Sequence, residues 1–323
     1  MDILIYIALG EEFLDLVESG FGVKLTGREE ADPVTTIFHG TVHSPAVNRD
    51  FTLGVLPAGT MGNEASANMM GALLTRYAPA NVVVLGIAGA LDRDVDLGDV
   101  FVPHVVKNYA TNGAMVGESD SVFIPSGRDF GTTPRLLERF RLFPAMKPEY
   151  YAKWIADRDE LLKKYVTADL QAKLAAHGLS AEYEAKAVVG DDRKLASGPF
   201  VGKSLAFAVN LNAKDRKYVA MEMESAGVYQ AVTNRDPVPN VVAIRGISDY
   251  ADDRKEKIEK LAGKRNFRKL ATQNAVAYLR RAIEAGHFER GPGSEEAMGS
   301  GKKGIQLPPI RPIKIKRKGP QQN

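Results

Sequence analysis

Short runs of apolar, largely β-branched residues recur along the chain, at 3–9, 35–42, 51–56, 82–87, 100–106, 185–189 and 241–247. They alternate with stretches of helical spacing at 64–76, 224–232 and 257–285. Runs apolar on both faces, separated by helices, predict an α/β fold built on a mainly parallel or mixed sheet. In the last stretch Phe267, Leu270, Ala271, Asn274, Tyr278 and Ile283 share one stripe, which predicts a surface helix docked on that sheet.

Two segments break the rhythm. Residues 107–190 begin Gly-rich and polar and then carry helical patterns at 150–165 and 168–177, around Trp154. They read as an elaboration between two strands of a 1–285 domain. From Gly286 onward there are seven Gly and five Pro, and no acid follows Glu296, so 286–323 reads as a disordered basic tail or linker.

That tail changes the meaning of the net charge. It holds eight Lys/Arg against three Glu, so it carries +5 of a total of +3, which leaves −2 on the preceding 285 residues. The folded part is therefore not basic, and nucleic acid is not its expected partner. There is no cysteine, which removes disulfides and thiolate chemistry and fits a cytoplasmic setting. The apolar run at 3–9 is too short to span a bilayer, so no membrane partner is expected.

Candidate chemistry sits where runs end, because open α/β sheets bind ligands beyond the carboxyl ends of their strands. The first run leads into Gly10-Glu11-Glu12, which on its own reads as an acidic first helical turn. The fourth ends in Gly86-Ile87-Ala88-Gly89-Ala90, small enough for a ligand to approach the backbone. The last ends in Arg245-Gly246-Ile247-Ser248-Asp249, and Glu222-Met223-Glu224 places two acids two residues apart ahead of a helix. The five histidines are scattered with no ligand spacing, and neither a metal nor a cofactor is expected.

These pieces, with Ala58-Gly59-Thr60-Met61-Gly62-Asn63, Val95-Asp96-Leu97-Gly98-Asp99-Val100 and Ser197-Gly198, occur in the order found in the nucleoside phosphorylase/nucleosidase superfamily. Over 1–106 and 190–285 the chain resembles that superfamily, and most of all its methylthioadenosine/S-adenosylhomocysteine nucleosidase-like branch. The resemblance implies a single domain with a mixed, partly barrel-like sheet flanked by helices. It also implies cleavage of the N-glycosidic bond of a purine nucleoside or nucleotide.

By the same resemblance Glu12 activates the attacking water, with Arg245 charged nearby, and Asp249 donates a proton toward N7 of the leaving purine. Glu224 holds the ribose hydroxyls, Met223 packs on the sugar, and Glu222 lines the same loop. Phe200 stacks on the base, while Gly86, Ile87, Ala88, Gly89 and Ser248 border the substrate. A glycosidic bond breaks through an oxocarbenium-like sugar, so anionic groups near the ribose and a proton for the base both lower the barrier. The sequence departs from the family at Ile87, which stands where a serine is common, at Ala90 in place of glycine, and at Phe200, one residue short of the usual spacing. Ile87 has no hydroxyl to offer the nucleophile.

Water is the expected nucleophile, because Glu11 and Glu12 would repel phosphate from the first loop. A phosphorylase is the alternative; its anion site would fall to Arg49, Arg128, Arg135, Arg139 or Arg141. A nucleotide-sensing or effector module in a signalling or defence system is a third reading. The resemblance further implies a homodimer or higher homo-oligomer whose pockets a neighbouring subunit completes.

Overall fold

The computed structural model describes residues 1–21, 27–30, 35–111, 113–116, 122–180, 182–200 and 205–291. Its first half contains β1 (Ile3–Ile7), α1 (Gly10–Glu18), β2 (Gly27–Glu30), β3 (Thr36–Ser44), β4 (Arg49–Pro57), α2 (Asn63–Tyr77), β5 (Asn81–Ala90), β6 (Val100–Val102), β7 (Val105–Asn108), β8 (Gly113–Val116), β9 (Val122–Pro125) and β10 (Arg128–Gly131). The second contains α3 (Pro134–Arg141), α4 (Phe143–Met146), α5 (Pro148–Tyr165), α6 (Ala168–Ala176), β11 (Ala187–Val189), β12 (Lys194–Ser197), α7 (Leu205–Lys214), β13 (Tyr218–Glu222), α8 (Ser225–Thr233), β14 (Asn240–Tyr250), α9 (Arg254–Ala262) and α10 (Asn266–Glu284).

Every residue of β1 is buried, as its unbroken apolar run requires, and β4 and β5 flank it in parallel. Twelve strands join one mixed sheet, and β8–β9 form a separate pair. The sheet forks at β5, which pairs with β1 and β14 in parallel and with β13 in antiparallel fashion at its last residues. β14 continues through β6 to β11, while β13 continues through β12 and β7 to β10. The run expected at 100–106 is thus two strands, divided at Pro103, and they belong to different branches of the fork.

The elaboration is woven into this sheet. β10 and β11 lie within it, so its chain leaves and rejoins the same core. Its helix α5 lies against α10, with Trp154 fully buried and its indole N–H donating to Asn274 Oδ1 at 2.8 Å. The Asn274 amide in turn donates to the carbonyls of Gly98 and Ala185. This corrects the reading of the last helix as a surface helix. α10 is buried over most of its circumference, Thr272, Gln273, Val276, Leu279 and Ala282 included, because α5 covers the side turned away from β14. The stretch expected as one helix over 257–285 breaks at Gly263, whose φ of +84° ends α9.

Packing also continues past Ala285. His287 and Phe288 are buried beside Phe140 and Phe143, and burial holds the His287 imidazole down to about 4. Gly291 N–H donates to Asp2 Oδ1 at 2.7 Å, and the Asn81 amide binds the carbonyls of Asp2 and Glu289. The folded body therefore reaches Gly291, whereas composition placed its end at 285. The expected tail from 292 onward lies outside the described residues. Among the described residues no helix is long and apolar enough to cross a membrane.

Candidate active site

β1 and β5 are parallel, so their carboxyl ends open on the same side of the sheet, and a cavity of about 590 Å³ lies there. That volume is within the usual range for small-molecule sites, about 300–1,000 Å³. Its walls include Leu9 to Glu12, Ile87 to Gly89, Met221 to Glu224, Ser248 and Asp249. Segments from opposite ends of the chain thus meet at one place.

Glu12 enters from the first turn of α1 and is 3% exposed. Its Oε2 accepts the N–H of Leu9 and its Oε1 the N–H of Ile87, both at 3.0 Å. The carboxylate thus caps its own helix and ties it to β5. Burial raises its pKa, while the nearby Arg245 guanidinium and the two N–H donors oppose the rise.

Arg245 lies behind the wall, 1% exposed, and does not line the cavity. It pairs with Glu222 and donates to Ser225 Oγ at 2.8 Å. Burial opposes its charge, but Glu222, Glu224 and Glu12 together keep it firmly protonated. Gly86 also lies behind the wall, since a Cβ there would run into the Arg245 guanidinium and approach Glu12 Oε1 to 2.9 Å. Its lack of a side chain is what lets the two groups come together.

The two acids before α8 face different tasks. Glu222 turns inward, accepting the N–H groups of Glu224 and Ser225 and the Ser225 hydroxyl in addition to Arg245. Although it borders the cavity, its oxygens are committed to the start of α8. Among the described residues the Glu224 carboxylate accepts only a long contact from Gly62 N–H, at 3.4 Å. Burial and the neighbouring Glu222 push its carboxyl up to about 8, against the pull of Arg245. Asn63 and Ser197 hold the first turn of α8 in place by accepting the N–H groups of Gly227 and Ala226, and so fix Glu224.

On the opposite wall β14 has an extra residue at Ser248, where its register against β5 shifts between Ile247 and Asp249. Such a bulge lets consecutive side chains face the same way, and both Ser248 and Asp249 line the cavity. Asp249 Oδ2 accepts the Ser248 hydroxyl at 2.8 Å, and Oδ1 lies 3.0 Å from Lys255 Nζ. Phe200, 56% exposed, and Met61, 57% exposed, stand at the rim, and Met223 faces the cavity between the two acids.

Ten of the twelve candidate residues border one cavity, and the other two, Arg245 and Gly86, stand immediately behind it. The sequence reading missed Lys255, Lys264 and Arg268, which complete the wall. Their basic stretch looks like a solvated helix face, and only the turn at Gly263 hints that it folds back. The arginines proposed for a phosphate lie elsewhere. Arg49 stacks on Phe51, Arg128 on Phe130, Arg135 and Arg139 pair with Glu289, and Arg141 pairs with Glu138. Among the described residues no cluster of His, Asp or Glu is arranged to hold a metal ion.

The sequence profile of the Phosphorylase superfamily matches residues 2–284. The chain is 24% identical over 205 residues to the ATP nucleosidase Cap17 of Escherichia coli; the match takes in 60% of this chain and 35% of that protein, about a third of its length. Among solved structures, the 5'-methylthioadenosine/S-adenosylhomocysteine nucleosidase of Neisseria meningitidis superposes with a TM-score of 0.57 at 16% identity, covering 88% of this chain and all of that one. The futalosine hydrolase of Helicobacter pylori gives 0.57 at 17% identity, over 88% and 97% of the two chains.

Proposed function

The chain belongs to the phosphorylase superfamily, and on that premise we propose that it hydrolyses the N-glycosidic bond of a purine nucleoside or nucleotide and releases the free base. The observation that carries this reading is the position of Glu12. Its two oxygens already take the N–H groups of Leu9 and Ile87, the backbone donors that an attacking phosphate would need at that point. A buried carboxylate there suits a water molecule, which it can orient and deprotonate, and repels an anion. The nucleosidase and hydrolase names among the similar proteins support the same reading.

In this reading Glu224, whose carboxyl is held protonated up to about 8, meets the ribose hydroxyls, and the positive charge that develops on the sugar favours its ionisation as the bond breaks. Asp249 faces the purine from the opposite wall and delivers the proton that lets the base leave as a neutral molecule. Arg245 and Glu222 set the field beneath them without touching the substrate. Phe200 and Met61 present apolar surface at the rim, and α7 exposes Leu205 and Val209. A second copy of the chain closing the pocket would cover such residues, so the working assembly is a homodimer. A cytoplasmic setting fits this reading, since the chain has no cysteine.

The test is incubation with adenosine, methylthioadenosine, S-adenosylhomocysteine, AMP and ATP, with and without phosphate. Free base released without phosphate is the expected result. Ribose 1-phosphate formed only with phosphate would overturn hydrolysis in favour of phosphorolysis, and tight binding without turnover would leave a sensor. Light scattering at micromolar concentration tests the dimer, which a fully active monomer would exclude.

A further inference from the structure

We propose that Lys264 and Arg268 form a subsite for the 5′-phosphate of a nucleotide substrate, an inference that rests on the glycosidase reading. Both residues line the cavity, and both come from the turn between α9 and α10 and the helix start beyond it. Gly263, with φ +84°, reverses the chain there and brings Lys264 to the mouth, where it is exposed. The first turn of α10 itself contains no acid.

Arg268 Nη1 lies 2.6 Å from Glu11 Oε1, and Nη2 lies 3.9 Å from Glu259. Its Nε is buried without a hydrogen-bond partner among the described residues. That nitrogen is closed to a ligand, so it is the terminal nitrogens of the guanidinium that can meet the oxygens of a phosphate. The pair with Glu11 does not block this, because both side chains are partly exposed, at 22% and 31%, and such pairs are worth little. The pair is neutral as a whole, so Glu11 does not repel an anion and Arg268 offers hydrogen-bond donors rather than net charge. The net positive charge among these three residues comes from Lys264, which also lines the cavity.

The location separates this subsite from a nucleophile site. The nucleophile must reach the sugar beside Glu12, which is buried. Arg268 borders the cavity beside Glu11 rather than Glu12, and Lys264 is exposed. An exposed mouth suits the most strongly hydrated part of a nucleotide, whose burial would be costly. The third cation, Lys255, is already committed to Asp249 at the base end.

The experiment uses the full chain and its Lys264→Glu and Arg268→Met variants, with AMP and adenosine as the paired probes. In the unaltered protein kcat/KM for AMP should exceed that for adenosine. Each variant should lower that ratio by about 10–100-fold, as for the loss of one charge-assisted contact. The ratio of dissociation constants for AMP and adenosine should move in the same way, and this holds whether or not base is released. Failure of base release with an intact binding ratio therefore sinks the glycosidase reading and keeps the subsite. Equal use of AMP and adenosine, or a ratio that neither variant moves, overturns the subsite. So does phosphate-dependent ribose 1-phosphate formation that Lys264→Glu abolishes, since the cations would then serve free phosphate.

Discussion

Lys255 Nζ stands 3.0 Å from Asp249 Oδ1, and the two side chains are about equally shielded, at 10% and 12% exposure. With the Ser248 hydroxyl on the other oxygen, the carboxylate proposed to face the purine has a donor on each side. A proton passed to the base can thus be replaced at once from the ammonium. Lys255→Met is expected to lower kcat for adenosine by roughly 10²-fold, within the span of general acid–base groups. A nucleoside whose leaving group departs unprotonated should lose little, and Asp249→Asn should show the same split. Equal losses on both substrates would remove the pair from the role of acid.

Glu12→Gln keeps the size of the side chain and removes the proposed base. Turnover should fall by about 10²–10⁴-fold, while the dissociation constant of a substrate analogue should change little, because Glu224 is untouched. Stopped-flow turnover and equilibrium titration of the same sample separate the two. Loss of binding in step with turnover would mean that Glu12 shapes the pocket rather than the water.

The site carboxylates also leave a mark on stability. Glu224 is raised from 4.5 to about 8 by burial and by Glu222. Between those values the folded protein holds a proton that the unfolded chain has released, so its contribution to stability is full below about 4.5 and lost as pH rises through 8. Glu224→Gln has no such dependence. The variant's Tm should therefore gain on the unaltered protein steadily from about pH 5 to about pH 8.5 in calorimetric scans. Parallel curves would show that Glu224 is ionised in the folded protein throughout that range.

Asn274 joins three parts of the fold through Trp154, Gly98 and Ala185. Asn274→Ala strands three buried groups, each costing about 1–3 kcal/mol. A loss of about 3 kcal/mol or more should appear as a fall in Tm of roughly 6–12 °C. A smaller fall would mean that the elaboration is held by apolar packing around Trp154 alone.

The pattern along the chain was enough to place most strands that reach the cavity, since a strand buried on both faces leaves an unbroken apolar run. It failed where burial depends on a distant partner. β12 and β13 are short and polar-edged, and they become strands only because β7 and β5 supply their hydrogen bonds. α10 looked half-exposed because its stripe records contact with the sheet, while its cover by α5 comes from scattered pairs such as Trp154 with Asn274, Tyr165 with Gln273 and Asp157 with Arg281. The acids of the site were legible from their places at strand ends. The cations were not, because Lys255, Lys264 and Arg268 acquire meaning only when the turn at Gly263 brings them back over Glu11 and Asp249.

Truncation tests where the folded body ends. Stopping the chain at Pro292 should leave turnover and Tm close to those of the full protein. Stopping it at Ala285 should lower Tm, because Phe140 and Phe143 lose the rings of His287 and Phe288. Equal stability of the two shortened chains would show that the last turn only rests on the body.

The clasp between Asp2 and Gly291 makes the folded body nearly a closed ring. Its two ends meet where β1, β5 and β14 begin, and the cavity lies at the other end of those strands. A linker of a few residues could weld the ends, and the ring could be cut anew at an exposed turn such as Gly178 without disturbing a strand. Cargo spliced to either end would hang from the same point, at the back of the molecule, and leave the mouth of the pocket open.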